Sequence, residues 1–141
     1  ALERWHREAD ARIARWTALR DWLDAGLLAA LGPDQVIRTG PAEAALRLPQ
    51  TLHVGFPGLD GDALLMQLDL AGVSASLGSA CASGTTRPSA SLLAMGIPAD
   101  RLRSSVRFSF GAATTEAEVD EALARTVAVV QRVRAVSLAP V

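Results

Sequence analysis

The chain has 141 residues, 50% of them apolar and 21% charged, with 14 basic against 15 acidic side chains and a formal net charge of -1. That is enough apolar material for one core and too little charge for wholesale disorder. The charge balance gives no basic footprint for nucleic acid, and no run approaches the roughly 18 consecutive apolar residues of a membrane span.

Ala1 to Leu31 carries the clearest helical period, with Trp5, Ala9, Trp16, Leu19, Leu23 and Leu27 close to one face. Arg4, Arg7, Arg15 and Asp24 fall largely outside that stripe, and all three tryptophans (Trp5, Trp16, Trp22) are read as core packing. Gly32-Pro33 ends the helix. The opening residues Ala1 to Glu8 mix charges where a signal peptide would need an apolar stretch, so a reducing, cytoplasmic setting is expected. His6 has no partner at metal-ligand spacing, and no metal site is expected.

Gln35 to Arg38 reads as a short strand before a Thr39-Gly40-Pro41 turn. Between Leu46 and Phe56, Pro49 demotes the first half, whereas Leu52, Val54 and Phe56 alternate with His53 and Gly55 as a strand. Asp60 or Asp62 caps a following helix with Leu64, Leu65 and Leu68 inside, and Gly72 ends it. Val73, Ala75 and Leu77 alternate with serines in another short strand. Ser89 to Met95 fits a short helix, and Val106, Phe108 and Phe110 alternate with Arg107 and Ser109 in a further strand. Thr115 and Glu118 have capping-box spacing and start a last helix that runs to about Ala135, with Val119, Leu123, Val127 and Val130 inside. The expectation is one α+β domain over residues 1–141: a long N-terminal helix and a small, mostly antiparallel sheet packed with helices.

Chemistry centres on two side chains. Cys81, the single cysteine, excludes an internal disulfide framework or a zinc-finger ligand set. It lies in a glycine-bounded polar stretch, GSACASGTTR, which has no large apolar residue to hold a thiol in a core. A thiol must ionise to act as a nucleophile, and no His or base stands beside it in sequence. Arg107 sits on the strand face opposite Val106, Phe108 and Phe110, where a guanidinium can hold a carboxylate by two parallel hydrogen bonds or simply stand solvated or ion-paired. His53 lies similarly opposite the Leu52/Val54/Phe56 face and reads as a satisfied polar strand residue sooner than a catalytic base. All 14 basic residues are arginine, so no side chain can form a Schiff base.

Four segments in order, LPQTLHVGFPGLDG, GSACASG, PSASLLAMG and SSVRFS, resemble the C-terminal part of a cysteine desulfurase of the pyridoxal-phosphate-dependent class V aminotransferase group. The resemblance runs from about Arg47 to Ala135. It implies the C-terminal small domain of the fold-type I transferase architecture, with residues 1–31 as a connecting helix. It implies that Cys81 is the nucleophile that takes sulfur from L-cysteine as a persulfide, leaving L-alanine, and that Arg107 binds the substrate carboxylate. It further implies a sulfur acceptor or iron–sulfur scaffold protein as partner, and a homodimer at full length. Pyridoxal 5′-phosphate would be held mainly by a large domain that supplies the lysine absent here, so this chain alone is expected to be inert. Three positions depart from the usual pattern: Leu77 stands where Ser is frequent, His53 where Asn is common, and Arg87 where an acid is frequent. Two other readings stay open: a class V relative of different reaction with Cys81 incidental, and a non-catalytic sulfur-carrier or interaction module.

Overall fold

The computed structural model describes residues 2–77, 94–96 and 103–137. The described elements are helix α1 (Leu2–Leu31), strand β1 (Ile37–Arg38), a single 3-10 turn (Ala44–Leu46), β2 (Thr51–Gly55), α2 (Gly61–Leu70), β3 (Ser76–Leu77), β4 (Ser105–Ser109) and α3 (Glu116–Ser137). The strands form one antiparallel sheet in the order β1-β2-β4-β3. The fold class is α+β.

Helix α1 owes its position to a leucine ladder. Leu19, Leu23, Leu27 and Leu31 recur every four residues and are buried, each contributing about 1.5–3 kcal/mol when withdrawn from water. Trp16 packs against the same cluster, and its indole N–H donates to the Gly111 carbonyl at 3.0 Å. The helix stops where Gly32 adopts φ 84 and its N–H bonds back to the Leu28 carbonyl at 2.9 Å. Trp22 departs from the core role read from sequence. It is 49% exposed, because it lies about a third of a turn round the helix from the centre of the leucine ladder.

Asp24 is the second departure: the sequence reading leaves it outside, whereas it is 6% exposed. Its carboxylate accepts from Arg38 Nε at 2.5 Å and from Arg47 Nη1 at 3.4 Å. Next to it Arg20, 1% exposed, donates from Nε to Asp21 at 2.9 Å and from Nη1 to the Leu48 carbonyl at 3.1 Å. A buried charge survives only with partners of this kind. The network ties the 39–50 excursion to α1 and so fixes where β2 begins.

The sheet buries one face against the helices. Leu52 and Val54 of β2 pair across with Phe108 and Val106 of β4, and all four are buried. Strand β1 starts two residues later than read from sequence, at Ile37, and β3 is confined to Ser76–Leu77, since pairing with a neighbour rather than alternation sets a strand's length. The helix expected over Ser89 to Met95 lies mostly outside the described residues.

Helix α2 begins as its sequence predicts, with Asp60 accepting from the Ala63 N–H at 2.9 Å. Leu64 and Leu68 are fully buried, whereas Leu65 is only half-buried. Gly72 at φ 77 closes the helix, its N–H bonding to the Asp69 carbonyl at 2.8 Å. At the other end of α2, a Cβ on Gly61 would stand 2.2 Å from the Arg103 carbonyl oxygen. Only glycine lets the helix start pass this close to the backbone leading into β4.

The reciprocal capping box of α3 is formed. Thr115 N–H donates to Glu118 Oε2 at 2.7 Å and Glu118 N–H to Thr115 Oγ1 at 3.2 Å, and these bonds hold the Glu118 carboxyl below its ordinary range. Val119, Val129 and Val130 are buried, Leu123 and Val127 pack against the core, and the helix runs two residues past Ala135. Gly26 of α1 lets α3 approach, for a Cβ there would meet Leu123 Cδ2 at 2.4 Å. No helix among the described residues is long and apolar enough to cross a membrane.

Two stability outcomes follow from this packing. Gly61→Ala must displace backbone and is expected to destabilise by about 1–3 kcal/mol, read as a lower urea midpoint with an unchanged slope. Thr126 is fully buried with its hydroxyl unpartnered among the described residues. Thr126→Val removes that orphan and is expected to raise stability by about 1 kcal/mol in the same assay.

Candidate functional site

The two faces of the sheet differ completely. Facing the helices are Leu52, Val54, Val106 and Phe108; facing away are Thr51, His53, Gly55, Ser105, Arg107 and Ser109, because successive strand residues point to opposite sides. In the middle of that second face the register places His53 of β2 directly opposite Arg107 of β4, and Arg107 opposite Ser76 of β3. One cross-strand row therefore reads histidine, arginine, serine.

Arg107 is half-buried. Its Nε is shielded from solvent and has no hydrogen-bond partner, and among the described residues its guanidinium makes no ion pair. The contrast with other partly buried arginines is direct, since Arg38 and Arg47 both reach carboxylates. Both ring nitrogens of His53 are likewise buried and, among the described residues, unpartnered. Burial first, and the neighbouring Arg107 cation second, lower the His53 pKa from 6.5 to about 4. The imidazole is therefore neutral at physiological pH, with one nitrogen bare and the other protonated. The sequence reading of His53 as a satisfied strand residue is corrected: among the described residues its ring nitrogens have no partner.

A row of buried polar atoms without partners is costly, at about 1–3 kcal/mol per group. A cation with spare donors beside a neutral ring is suited to an anion that brings acceptors and a compensating charge, and a carboxylate matches the guanidinium fork. Cys81 and the GSACASG stretch lie outside the described residues, as does Arg87. The chain leaves β3 at Leu77, immediately before that stretch and one residue beyond Ser76 of the polar row.

A cleft of about 400 Å³ lies on the opposite, helix-bearing side, lined by Phe108, Phe110, Val119, Ala122 and Arg125 among others. Its cation is already used: Arg125 donates to Glu121 at 2.5 Å and to the Ala71 carbonyl at 2.8 Å. Its other charge, the Glu118 carboxylate, is committed to the α3 cap through Thr115. The polar row is the better candidate.

The chain belongs to the aminotransferase class-V family, whose model matches residues 5–122. It is similar to cysteine desulfurase 2 of Trichormus variabilis, at 42% identity over 125 residues covering 89% of this chain and 30% of that protein. It is also similar to the IscS-like cysteine desulfurase of Mycobacterium tuberculosis, at 44% identity over 126 residues covering 89% and 31%. Among solved structures a NifS-like protein superposes with a TM-score of 0.73 at 25% identity, covering 89% of this chain and 30% of the other. The chain thus spans about 30% of the length of the curated relatives it matches.

The His53 environment sets a pH dependence. Between pH 6.5 and about 4 the unfolded chain takes up a proton at this position while the folded chain does not, so stability falls as pH drops through that window and is full above it. The loss attributable to His53 is up to about 3 kcal/mol. Urea unfolding at pH 7 and pH 4.5 is expected to show a smaller pH-linked loss in His53→Asn than in the parent chain.

Proposed function

We propose that this chain is the C-terminal small domain of a pyridoxal-phosphate-dependent cysteine desulfurase, with residues 1–31 connecting it to a large domain. In this reading Arg107 binds the carboxylate of L-cysteine and Cys81 receives its sulfur. The observation that carries the proposal is the half-buried Arg107 guanidinium, set mid-sheet on a polar face with no counter-charge among the described residues. The similarity to cysteine desulfurases over about nine-tenths of the chain supports the substrate class.

The residues present do not by themselves fit the cofactor. Covalent capture of its aldehyde requires a side-chain amine, and the chain has no lysine. The cofactor and its lysine belong to the partner domain in this reading, where the bound coenzyme makes the substrate carbon able to accept electrons. The work of this chain is complementary. Arg107 holds the carboxylate by parallel hydrogen bonds, orienting the amino acid so that its sulfur points outward. The Cys81 thiolate attacks that sulfur: an S–S bond forms, the C–S bond breaks, and its electron pair passes to the carbon skeleton, which is released after protonation as L-alanine. Cys81 is left as a persulfide. Sulfur then passes to an acceptor, in this reading an iron–sulfur scaffold or a related carrier.

The test uses the complete cofactor-loaded enzyme given L-cysteine. Cys81→Ser is expected to lower L-alanine formation by about two orders of magnitude or more and to abolish the gain of one sulfur atom at residue 81 in intact-mass measurements, with thermal unfolding unchanged. Full L-alanine formation by Cys81→Ser would sink the nucleophile role of Cys81, and no L-alanine from the parent enzyme would sink the assignment in favour of another class V reaction with Cys81 incidental. The isolated chain, incubated with cofactor and L-cysteine, is expected to form no L-alanine.

A further inference from the structure

We propose that His53 is a positioning residue for Arg107: its ring offers a bare nitrogen to an Arg107 N–H, and that contact sets the plane in which the guanidinium meets a carboxylate. The inference rests on the reading of Arg107 as the carboxylate-binding residue and adds a second side chain to that site.

Three observations carry it. The first is register. His53 and Arg107 are direct cross-strand partners on the two central strands of the sheet, with Cβ atoms about 4.5–5.5 Å apart by the geometry of such pairs. Each strand is flanked on both sides, so neither backbone has room to drift. Ser76, the neighbour on the other side of Arg107, comes instead from the two-residue edge strand β3. The second is complementarity. Arginine has N–H donors and no acceptor, whereas a neutral imidazole always keeps one acceptor nitrogen. The lowered His53 pKa, caused by burial and by Arg107 itself, keeps the ring in that neutral form. The third is the unspent capacity: Arg107 Nε and both His53 nitrogens are withdrawn from water and have no partner among the described residues. A carboxylate taking the two Nη donors leaves Nε to the histidine, a bond the two side chains do not make among the described residues and that would close with the carboxylate in place, holding the guanidinium from both sides.

A merely structural histidine would pack the sheet without affecting carboxylate recognition, and two probes separate the cases. L-alanine and ethylamine differ by a carboxylate alone. Their dissociation constants are measured on the complete cofactor-loaded enzyme through the coenzyme absorbance, and the ratio of ethylamine to L-alanine reads the carboxylate contribution. Arg107→Met is expected to bring that ratio close to unity; an unchanged ratio overturns the carboxylate role of Arg107 and this inference with it. His53→Ala is expected to reduce the ratio about tenfold with ethylamine binding unaltered, and His53→Asn, which restores a neutral acceptor, to recover most of the loss. In the Arg107→Met background His53→Ala is expected to have no further effect on the ratio. A ratio that holds in His53→Ala while collapsing in Arg107→Met overturns the positioning role alone. So does equal weakening of both amines in His53→Ala, which would mark general damage to the fold.

Discussion

The pairing of β2 with β4 governs the rest of the molecule. Their register sets Leu52 against Phe108 and Val54 against Val106 on the side covered by helices, and the same register sets His53 against Arg107 on the other. The two outcomes cannot be separated. Slipping the strands by one residue would turn the whole apolar set out of the core, so hydrophobic burial is what holds the polar pair in place. The close passage of Gly61 under the Arg103 carbonyl and the Phe56 N–H bond to Ser104 at 3.0 Å lock the approach to β4 from outside the sheet.

What could be read from the sequence was whatever depends on near neighbours. The Thr115–Glu118 box, the Asp60 cap, the glycine stops at Gly32 and Gly72 and the alternation through Val106, Phe108 and Phe110 are each decided within a few residues, and each is present. Asp24 was misplaced because a helical stripe sorts residues by polarity, and polarity says nothing of two arginines arriving from the 38–47 segment. Trp22 was misplaced for the converse reason: an aromatic ring suggests burial, but its angular position on α1 points it to solvent.

The candidate site shows the same division. Arg107 could be picked out by its strand face, and the family resemblance added a role for it. That His53 shares its row, and that Arg107 Nε and both His53 nitrogens lack partners among the described residues, is a property of cross-strand register and burial that no single-chain pattern encodes. The only hint in the sequence was that both residues occupy the non-apolar phase of their strands.

The uncompensated guanidinium on the polar face has a thermodynamic corollary. That face carries buried polar atoms, Arg107 Nε and both His53 nitrogens, whose hydration is lost and not replaced by partners among the described residues, and this subtracts from the folding free energy. Any anion able to supply acceptors there would stabilise the native state by mass action, so on this face recognition and thermal endurance are one equilibrium.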